Sequence, residues 1–218
     1  MINVSFIVKI LPQLVSGLLV SYVIAGGALC IGLVGGILMG IGLTKGSRSL
    51  RFLLAVYGHI IRGTPMLIHI VFFYYVLPLV GITLSALATA IIAIGINSSA
   101  YVSQVIKAGI NAVSKDQIEA AYVLGFTRFQ AIRFIILPQA IRTILPALAN
   151  EAVTLIKDSS LASVIGVVEL YKESRIILSQ SYDIVSVFCI VALLYMLSTS
   201  LISMFAYMLE KKWNIHHA

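Results

Sequence analysis

Residues 111–138 read NAVSKDQIEAAYVLGFTRFQAIRFIILP. Basic, acidic and amide side chains recur throughout this segment, whereas the chain on either side of it is apolar over long runs. A helix needs roughly 20 consecutive, mostly apolar residues to cross the bilayer core. The segment is therefore too polar to cross, and the runs that flank it are long enough to do so.

The composition of the whole chain agrees with a membrane protein. Of 218 residues, 60% are hydrophobic and 11% are charged, and the mean hydropathy is +1.05. A soluble domain carries about 25% charged residues. The apolar runs leave no room for a separate soluble domain, so we expect residues 1–218 to form a single transmembrane domain.

Apolar runs predict five transmembrane helices, over residues 14–43, 52–79, 84–106, 139–156 and 184–209, and hence an all-α membrane protein. The second run is interrupted by Arg62-Gly63-Thr64-Pro65. Proline lacks a backbone N–H and its ring clashes with the preceding turn, so this helix should be kinked or broken at Pro65. A mixed stretch, residues 157–183, separates the last two spans.

Five spans place the two chain termini on opposite sides of the membrane. One side receives the loops after the first and third spans and the C-terminus; its basic residues are Lys45, Arg48, Arg51, Lys107, Lys115, Arg128, Arg133, Arg142, Lys211 and Lys212. The other side carries Lys9, Lys157, Lys172 and Arg175. Cytoplasmic loops are enriched in Lys and Arg, which predicts an outer N-terminus and a cytoplasmic C-terminus. Because the +7 net charge is concentrated beside the spans, we expect no nucleic-acid partner.

Small and weakly polar residues inside the spans predict packing. Gly32, Gly36 and Gly40 are four residues apart on one helical face, a spacing that lets two helices approach closely in lipid. Cys30 and Cys189 both fall inside apolar runs, which predicts inert thiols buried in the core and no disulfide framework.

Within residues 111–138 the apolar positions follow a helical rhythm. Gly125 permits a sharp bend, so we expect two short helices that meet there. Pro138 should then break the helix before the chain re-enters the membrane. An amphipathic interfacial helix without a partner is the alternative interpretation of this segment.

The segment also contains a spacing that resembles a known motif. Glu119-Ala120-Ala121 is followed after three residues by Gly125 and, after nine more residues, by Ile135-x-Leu137-Pro138. This resembles the EAA loop of the membrane subunits of bacterial ABC importers. The resemblance implies a permease of the type I ABC importer fold, in which residues 111–138 dock onto a cytoplasmic ATPase. The implied coupling residues are Glu119, Ala120, Ala121, Gly125, Leu137 and Pro138.

Other motifs resemble the permeases that import polar amino acids. These are Arg62-Gly63-Thr64-Pro65, Asn150-Glu151 and Lys157-Asp158-Ser159-Ser160-Leu161. The resemblance implies a bacterial cytoplasmic (inner) membrane location, an extracytoplasmic amino-acid-binding protein, and a second copy or paralogue of this subunit. Glutamine is the favoured substrate, and arginine, histidine and cystine remain open. The chain lacks a phosphate-binding G-x-x-x-x-G-K-[ST] loop, so ATP and Mg should bind the partner ATPase, and we expect no cofactor or enzymatic activity in this chain.

Charged side chains inside a membrane are costly and mark candidate sites, here Arg62, Glu151 and Asp158. The two acids are seven residues apart on one helical face, about 10 Å along the axis. They are candidates to receive a substrate ammonium or a cationic side chain. Arg62, or backbone amides freed by the kink at Pro65, are the candidates to receive a carboxylate. Two alternatives remain: a salt bridge between Arg62 and Glu151, and a boundary role for Asp158 beside Lys157.

Uncharged polar residues add to this candidate path. Asn97 and Ser98 lie in the middle of the third span, where they line the path or form bonds between helices. His59 and His69 lie ten residues apart in the second run without converging ligands, so we expect polar packing and no metal site.

A proton- or sodium-driven secondary carrier is the alternative from another class. Such carriers often contain internal repeats, and we find none in this sequence. A carrier would also not need a coupling loop. No grouping of a nucleophile, histidine and acid indicates an enzyme.

Overall fold

The computed structural model describes the backbone of residues 4–214 and the side chains of residues 5–211, and within that range the chain forms helices and no strand. The α-helices are α1 (Val4–Lys45), α2 (Arg48–Gly63), α3 (Met66–Val76), α4 (Ala86–Asn111), α5 (Lys115–Val123), α6 (Arg128–Ala131), α7 (Leu137–Asp158), α8 (Leu170–Ser181) and α9 (Ile184–Asn214). Two 3₁₀ helices, Leu77–Val80 and Ser159–Ile165, and one π-helical turn, Ile132–Ile136, complete the chain. The expectation of an all-α fold is confirmed.

Four continuous helical stretches are long and apolar enough to cross a membrane: α1, α4, the stretch that contains α6 and α7, and α9. Helices α2 and α3 together provide a fifth apolar stretch, bent by 101°. The bend lies at Thr64-Pro65, where Thr64 is extended (φ −116°, ψ 142°) as a residue before proline prefers. The predicted break in the second span is therefore confirmed.

Helix α4 is the most buried of the spanning helices and forms the centre of the fold. It packs against α1, α3 and α7, and its contact with α1 is the most extensive between any two helices. The glycine stripe of α1 makes this contact: Gly32 lies against Ser98, Gly36 against Val102 and Gly40 against Ile106. The predicted packing role of these glycines is confirmed.

A buried carboxylate, Glu169, joins α1, α8 and α9. Its Oε1 accepts a hydrogen bond from the backbone N–H of Lys172 at 2.8 Å, and its Oε2 accepts one from the N–H of Tyr171 at 2.9 Å. The hydroxyls of Tyr195 (3.2 Å) and Ser21 (3.4 Å) also donate to Oε2. Glu169 thus caps α8 and satisfies donors from two spanning helices.

The expected helix break at Pro138 is wrong. The chain stays helical from α6 into α7, and Leu137 donates its backbone N–H to the carbonyl oxygen of Ile132 across the π-helical turn. Pro138 sits at the start of α7, directly after this widened turn. The wider turn accommodates both the missing N–H and the proline ring. The hydrogen bonds change locally to the π-helical pattern, and the helix continues.

The expectation of buried cysteines is also wrong. Cys30 and Cys189 are both exposed on the surface of the chain, and both are free thiols. In a membrane protein the lipid-facing surface is as apolar as the core, so hydropathy does not distinguish the two environments.

Candidate functional site

The broken α2–α3 junction, one face of α4 and one face of α7 enclose a cavity of about 530 Å³. Four of the five predicted path residues line it: Arg62, Asn97, Glu151 and Asp158. Ser98 is not among the lining residues. The sequence-based interpretation therefore named residues from three separate segments that the fold brings to one place.

The α7 wall of the cavity carries the two carboxylates. Glu151, Thr154 and Asp158 follow one another at helical spacing and all line the cavity. Ser98, on α4, donates its hydroxyl to Oε1 of Glu151 at 2.6 Å. Ser98 thereby orients the Glu151 carboxylate from behind and does not face the cavity itself.

The opposite wall carries Arg62, at the C-terminal end of α2. Its Nη1 donates to the carbonyl oxygen of Ala100 on α4 at 3.0 Å. Gly58, one turn earlier, leaves space for the guanidinium, because a Cβ there would lie 2.8 Å from Nη1. Arg62 and Glu151 thus each have another partner, and no Arg62–Glu151 ion pair forms within residues 4–214.

His69 connects the two sides of the helix break. Its Nδ1 lies 3.1 Å from Nδ2 of Asn97, and its Nε2 contacts the hydroxyl of Thr64. Nδ2 of Asn97 also lies 3.5 Å from the carbonyl oxygen of Ile61, which only accepts, so this atom is the amide nitrogen. Nδ1 of His69 must then accept, and Nε2 carries the proton that is donated to Thr64.

This network shows that His69 is part of the polar packing that the sequence predicted. No group of three or more His, Cys, Asp or Glu side chains within the described chain is placed to hold a metal ion. The contacts of His69 with Thr64 and Asn97, two residues that line the cavity, were not predicted, because nothing in the sequence pairs His69 with Asn97.

The predicted bend near Gly125 lies between α5 and α6, and α5 is short as expected. The second helix is not short, because α6 continues into α7. Gly125 has φ +83°, a left-handed conformation that favours glycine. Ser114 caps α5 by accepting from the N–H of Gln117 at 3.4 Å. Thr127 and Gln130 form a reciprocal capping box at the start of α6. Local hydrogen bonds therefore fix both helix starts without any partner.

The outer face of this segment is unusually apolar for an exposed surface. Val123 and Leu124 are 87% and 77% exposed, and Phe129 is 70% exposed. Glu119 and Ala120 are exposed as well, whereas Ala121 is buried. Exposed apolar side chains beside a charged residue are typical of a protein–protein contact.

Comparisons with known proteins bear on these two sites. The family described as "Binding-protein-dependent transport system inner membrane component" matches residues 32–215. The chain belongs to this family. It is thus a permease subunit of the bacterial inner membrane, with the EAA-type segment and the cavity on one chain.

Several named relatives agree with this membership. The glutamine transport system permease protein of Escherichia coli is 32% identical over 94% of each chain. A Rickettsia conorii protein that carries a provisional glutamine-permease name is 39% identical, over 95% of this permease and 97% of its own length. An amino-acid ABC transporter permease of Bacillus subtilis, also provisionally named, is 34% identical, over 97% and 93%.

Solved structures give the same fold. The crystal structure of an amino acid ABC transporter with histidines matches the permease with a TM-score of 0.89 and 34% identity, over 97% of this chain and 99% of that one. A methionine ABC transporter in an inward-facing conformation matches with a TM-score of 0.76 over 94% and 98%, and at 19% identity it supports the fold alone. The expected type I ABC importer permease fold is confirmed.

Proposed function

We propose that this chain is the translocation subunit of an ATP-driven importer of polar amino acids, with glutamine as the first substrate to test. One observation carries the proposal. The cavity is lined by two carboxylates on α7 and by the guanidinium of Arg62 on α2, and α7 is continuous with the exposed segment 111–138. A free amino acid presents an ammonium and a carboxylate, which these groups complement. The similarity to glutamine transport system permeases supports glutamine as the cargo.

The proposal assigns two protein contacts to opposite ends of the subunit. Segment 111–138 docks onto a cytoplasmic ATP-binding subunit that holds ATP and Mg, with the coupling residues Glu119, Ala120, Ala121, Gly125, Leu137 and Pro138. An extracytoplasmic amino-acid-binding protein delivers the cargo to the other end. The excess of basic residues near segment 111–138 supports an outer N-terminus and a cytoplasmic C-terminus.

A second copy or a paralogue of the chain completes the pathway in this proposal. The cavity is open, and five membrane segments are too few to enclose a path. ATP closes the ATPase dimer, which moves the two coupling segments together and opens the cavity outward. After hydrolysis the cavity opens toward the cytoplasm.

Uptake into proteoliposomes tests the coupling role. The chain is reconstituted with its ATPase, its binding protein and internal ATP, and uptake of labelled glutamine is compared between wild type and Glu119→Lys. We expect ATP-dependent uptake that the reversed charge abolishes, and Lys172→Glu, on α8 away from segment 111–138, serves as a charge-reversal control. Uptake without ATP would support a secondary carrier, and uptake indifferent to Glu119 would contradict the coupling role.

A cationic substrate is the second candidate. Two carboxylates against one guanidinium give the cavity an excess of negative charge, which favours arginine or histidine over glutamine. The solved amino acid transporter with histidines adds to this case. Labelled arginine, histidine and cystine in the same uptake assay distinguish the candidates.

The assignment of Glu151 and Asp158 to the path has its own test. The double variant Glu151→Gln/Asp158→Asn should reduce uptake and should reduce it more for arginine than for glutamine. Glu173→Gln/Asp183→Asn removes the same charge outside the cavity and is the matched control. An unchanged rate and an unchanged substrate profile in the first variant would show that these acids do not line the path.

A further inference from the structure

A second cavity, of about 470 Å³, lies where the ends of α1 and α4 meet the beginning of α2. This is the end of the molecule from which segment 111–138 continues. Three of its lining side chains are cationic, namely Arg48, Arg51 and Lys107. None of the eight acidic residues of the chain lines it. The cavity is thus a concentrated positive site without a counter-charge.

The chain brings these cations together through a tight turn. Helix α1 ends at Lys45 and α2 begins at Arg48, with Ser47 as its N-cap. Gly46 is required between them, because a Cβ there would collide with the carbonyl oxygen of Gly42. This connection between α1 and α2 places the N-terminal residues of α2 beside the C-terminal residues of α4. The positive end of the α2 dipole adds to the charge of the side chains.

Charged and apolar groups follow one another along α2. Arg48, Arg51, Phe52 and Ala55 recur at helical spacing and all line the cavity. At 1.5 Å per residue, Phe52 lies about 6 Å and Ala55 about 10 Å beyond Arg48 along the axis of α2. The Phe52 side chain is 67% exposed. The site is therefore cationic at the N-terminal end of α2 and apolar farther along this helix.

The three cations are not neutralised within the chain. Among the side chains of residues 5–211, Arg48, Arg51 and Lys107 form no hydrogen bond or ion pair with another side chain. Like charges that line one cavity repel one another, and more strongly beside a membrane than in open water. An external anion removes this repulsion, and arginine is suited to phosphate because its guanidinium donates two parallel hydrogen bonds.

We propose that this cavity binds the phosphate headgroup of an anionic phospholipid, with an acyl chain along Phe52 and Ala55. Basic pockets between transmembrane helices are a recognised arrangement for such headgroups. A soluble phosphate would use only the cationic end, and it leaves the apolar end without a partner. An acidic protein surface would likewise engage the cations alone. The order of charged and apolar groups therefore favours a lipid.

Lipid retention by the full chain tests the site. The wild-type protein is placed in nanodiscs with equal amounts of phosphatidylglycerol and phosphatidylcholine and extracted in mild detergent, and its retained lipids are counted by native mass spectrometry. We expect selective, saturable retention of phosphatidylglycerol. The variant Arg48→Gln/Arg51→Gln/Lys107→Gln should retain about tenfold less of it, since each basic residue near a membrane adds to the attraction of anionic lipid.

The matched control is Lys115→Gln/Arg128→Gln/Arg133→Gln, which removes the same charge from the same end of the chain but outside the cavity. It should retain phosphatidylglycerol as the wild type does. An equal loss of phosphatidylglycerol retention in both variants would show a general charge effect and would contradict a specific site in this cavity. Absence of selective retention by the wild type would overturn the proposal whether or not the variants fold.

Two further measurements distinguish a lipid from the alternative ligands, free phosphate and a protein surface. Millimolar inorganic phosphate should not displace the retained phosphatidylglycerol, and full displacement would assign the cavity to free phosphate. Binding of the ATPase subunit to the triple variant is measured in parallel. Loss of that binding with unchanged lipid retention would show a protein-docking surface and would contradict the proposal.

Discussion

At the scale of single residues, the absence of a side chain determines how closely α1 approaches α4. A Cβ on Gly36 would lie 2.5 Å from Cβ of Val102 and 3.2 Å from the backbone nitrogen of Ser103. Neither of these atoms is the far end of a flexible side chain. By contrast, Gly26 in the same helix has nothing within 4 Å of a Cβ. The two glycines therefore differ in packing while sharing one helix.

Gly36→Ala should therefore destabilise the protein by about 1–3 kcal/mol, as overpacking does in other cores. Gly26→Ala should be neutral or stabilising by up to about 1 kcal/mol, because alanine favours the helix more than glycine. Thermal unfolding in detergent compares the two variants. A smaller loss for Gly36→Ala than for Gly26→Ala would contradict the observed helix contact.

Glu169 is a second residue with a predicted effect on stability, and this effect depends on pH. Burial raises the pKa of its carboxyl above that of an ordinary glutamate, and the hydrogen bonds from Tyr171 and Lys172 oppose this rise. A raised pKa in the folded protein means that the folded state binds the proton more tightly than the unfolded state. The resulting stability is present below the ordinary glutamate pKa and is lost as the pH rises through the raised pKa.

Glu169→Gln should remove this pH-dependent component. It should also destabilise the protein by about 1–3 kcal/mol, because the amide nitrogen replaces an oxygen that now accepts hydrogen bonds. Glu173→Gln, on the same helix, is the control with the same change in charge. Unfolding measured from pH 4 to pH 8 should give a flatter profile for Glu169→Gln alone. A profile parallel to that of the wild type would refute the role of Glu169 in pH dependence.

At the scale of helices, hydropathy and proline positions predicted most of the structure. The apolar runs matched α1, α4, α7 and α9, and Pro65 marked the bend between α2 and α3. Proline rules failed at Pro138, because a sequence does not show whether a π-helical turn precedes the ring. The Glu169 cluster was also missed, since its partner Ser21 lies 148 residues away in the chain. Local patterns hold no information on such a contact.

The bend between α2 and α3 depends on more than Pro65. His69 joins Thr64 at the break to Asn97 on α4. His69→Leu should destabilise the protein by about 1–3 kcal/mol, because the buried amide of Asn97 loses its 3.1 Å contact with His69 and keeps only the longer one with the carbonyl oxygen of Ile61. Uptake should fall as well, since Thr64 and Asn97 both line the cavity.

The exposed His59 on α2 provides the control for this variant. His59→Leu should change stability by less than about 0.5 kcal/mol, as surface substitutions usually do. Thermal unfolding and glutamine uptake are measured on both variants. Equal effects would mean that the His69 network does not stabilise the bend.

At the scale of the whole molecule, the cavity wall and the outer surface should meet different surroundings. Thr154 lines the cavity between Glu151 and Asp158, whereas Cys30 and Cys189 lie exposed on spanning helices. A charged thiol reagent reaches a side chain that borders water and enters hydrocarbon poorly. Only the thiolate reacts with charged thiol reagents.

Thr154→Cys, made in a Cys30→Ser/Cys189→Ser background, should therefore react about tenfold or more faster with a charged thiol reagent than the native cysteines do in wild type. The assay uses the reconstituted protein in a bilayer. Added substrate should slow the reaction at position 154. Equal rates at all three positions would contradict a hydrated path.

The sequence named four cavity residues because charged and polar side chains are rare inside membrane spans. It could not assign their partners. Whether Arg62 paired with Glu151 depended on helix rotation, and the structure instead pairs them with Ala100 and Ser98. Segment 111–138 was predicted more fully, since its caps and its bend at Gly125 are encoded within a few residues.

The π-helical turn at Ile132–Ile136 has a consequence for how the two ends of this subunit are aligned. Such a turn holds one residue more than an ordinary α-helical turn, and each residue of a helix advances it by about 100°. The inserted residue therefore sets the angular phase between segment 111–138 and the carboxylate-bearing face of α7. Removing one residue there would leave a continuous helix of nearly the same length. With segment 111–138 held in its present orientation, however, Glu151 and Asp158 would point away from the cavity.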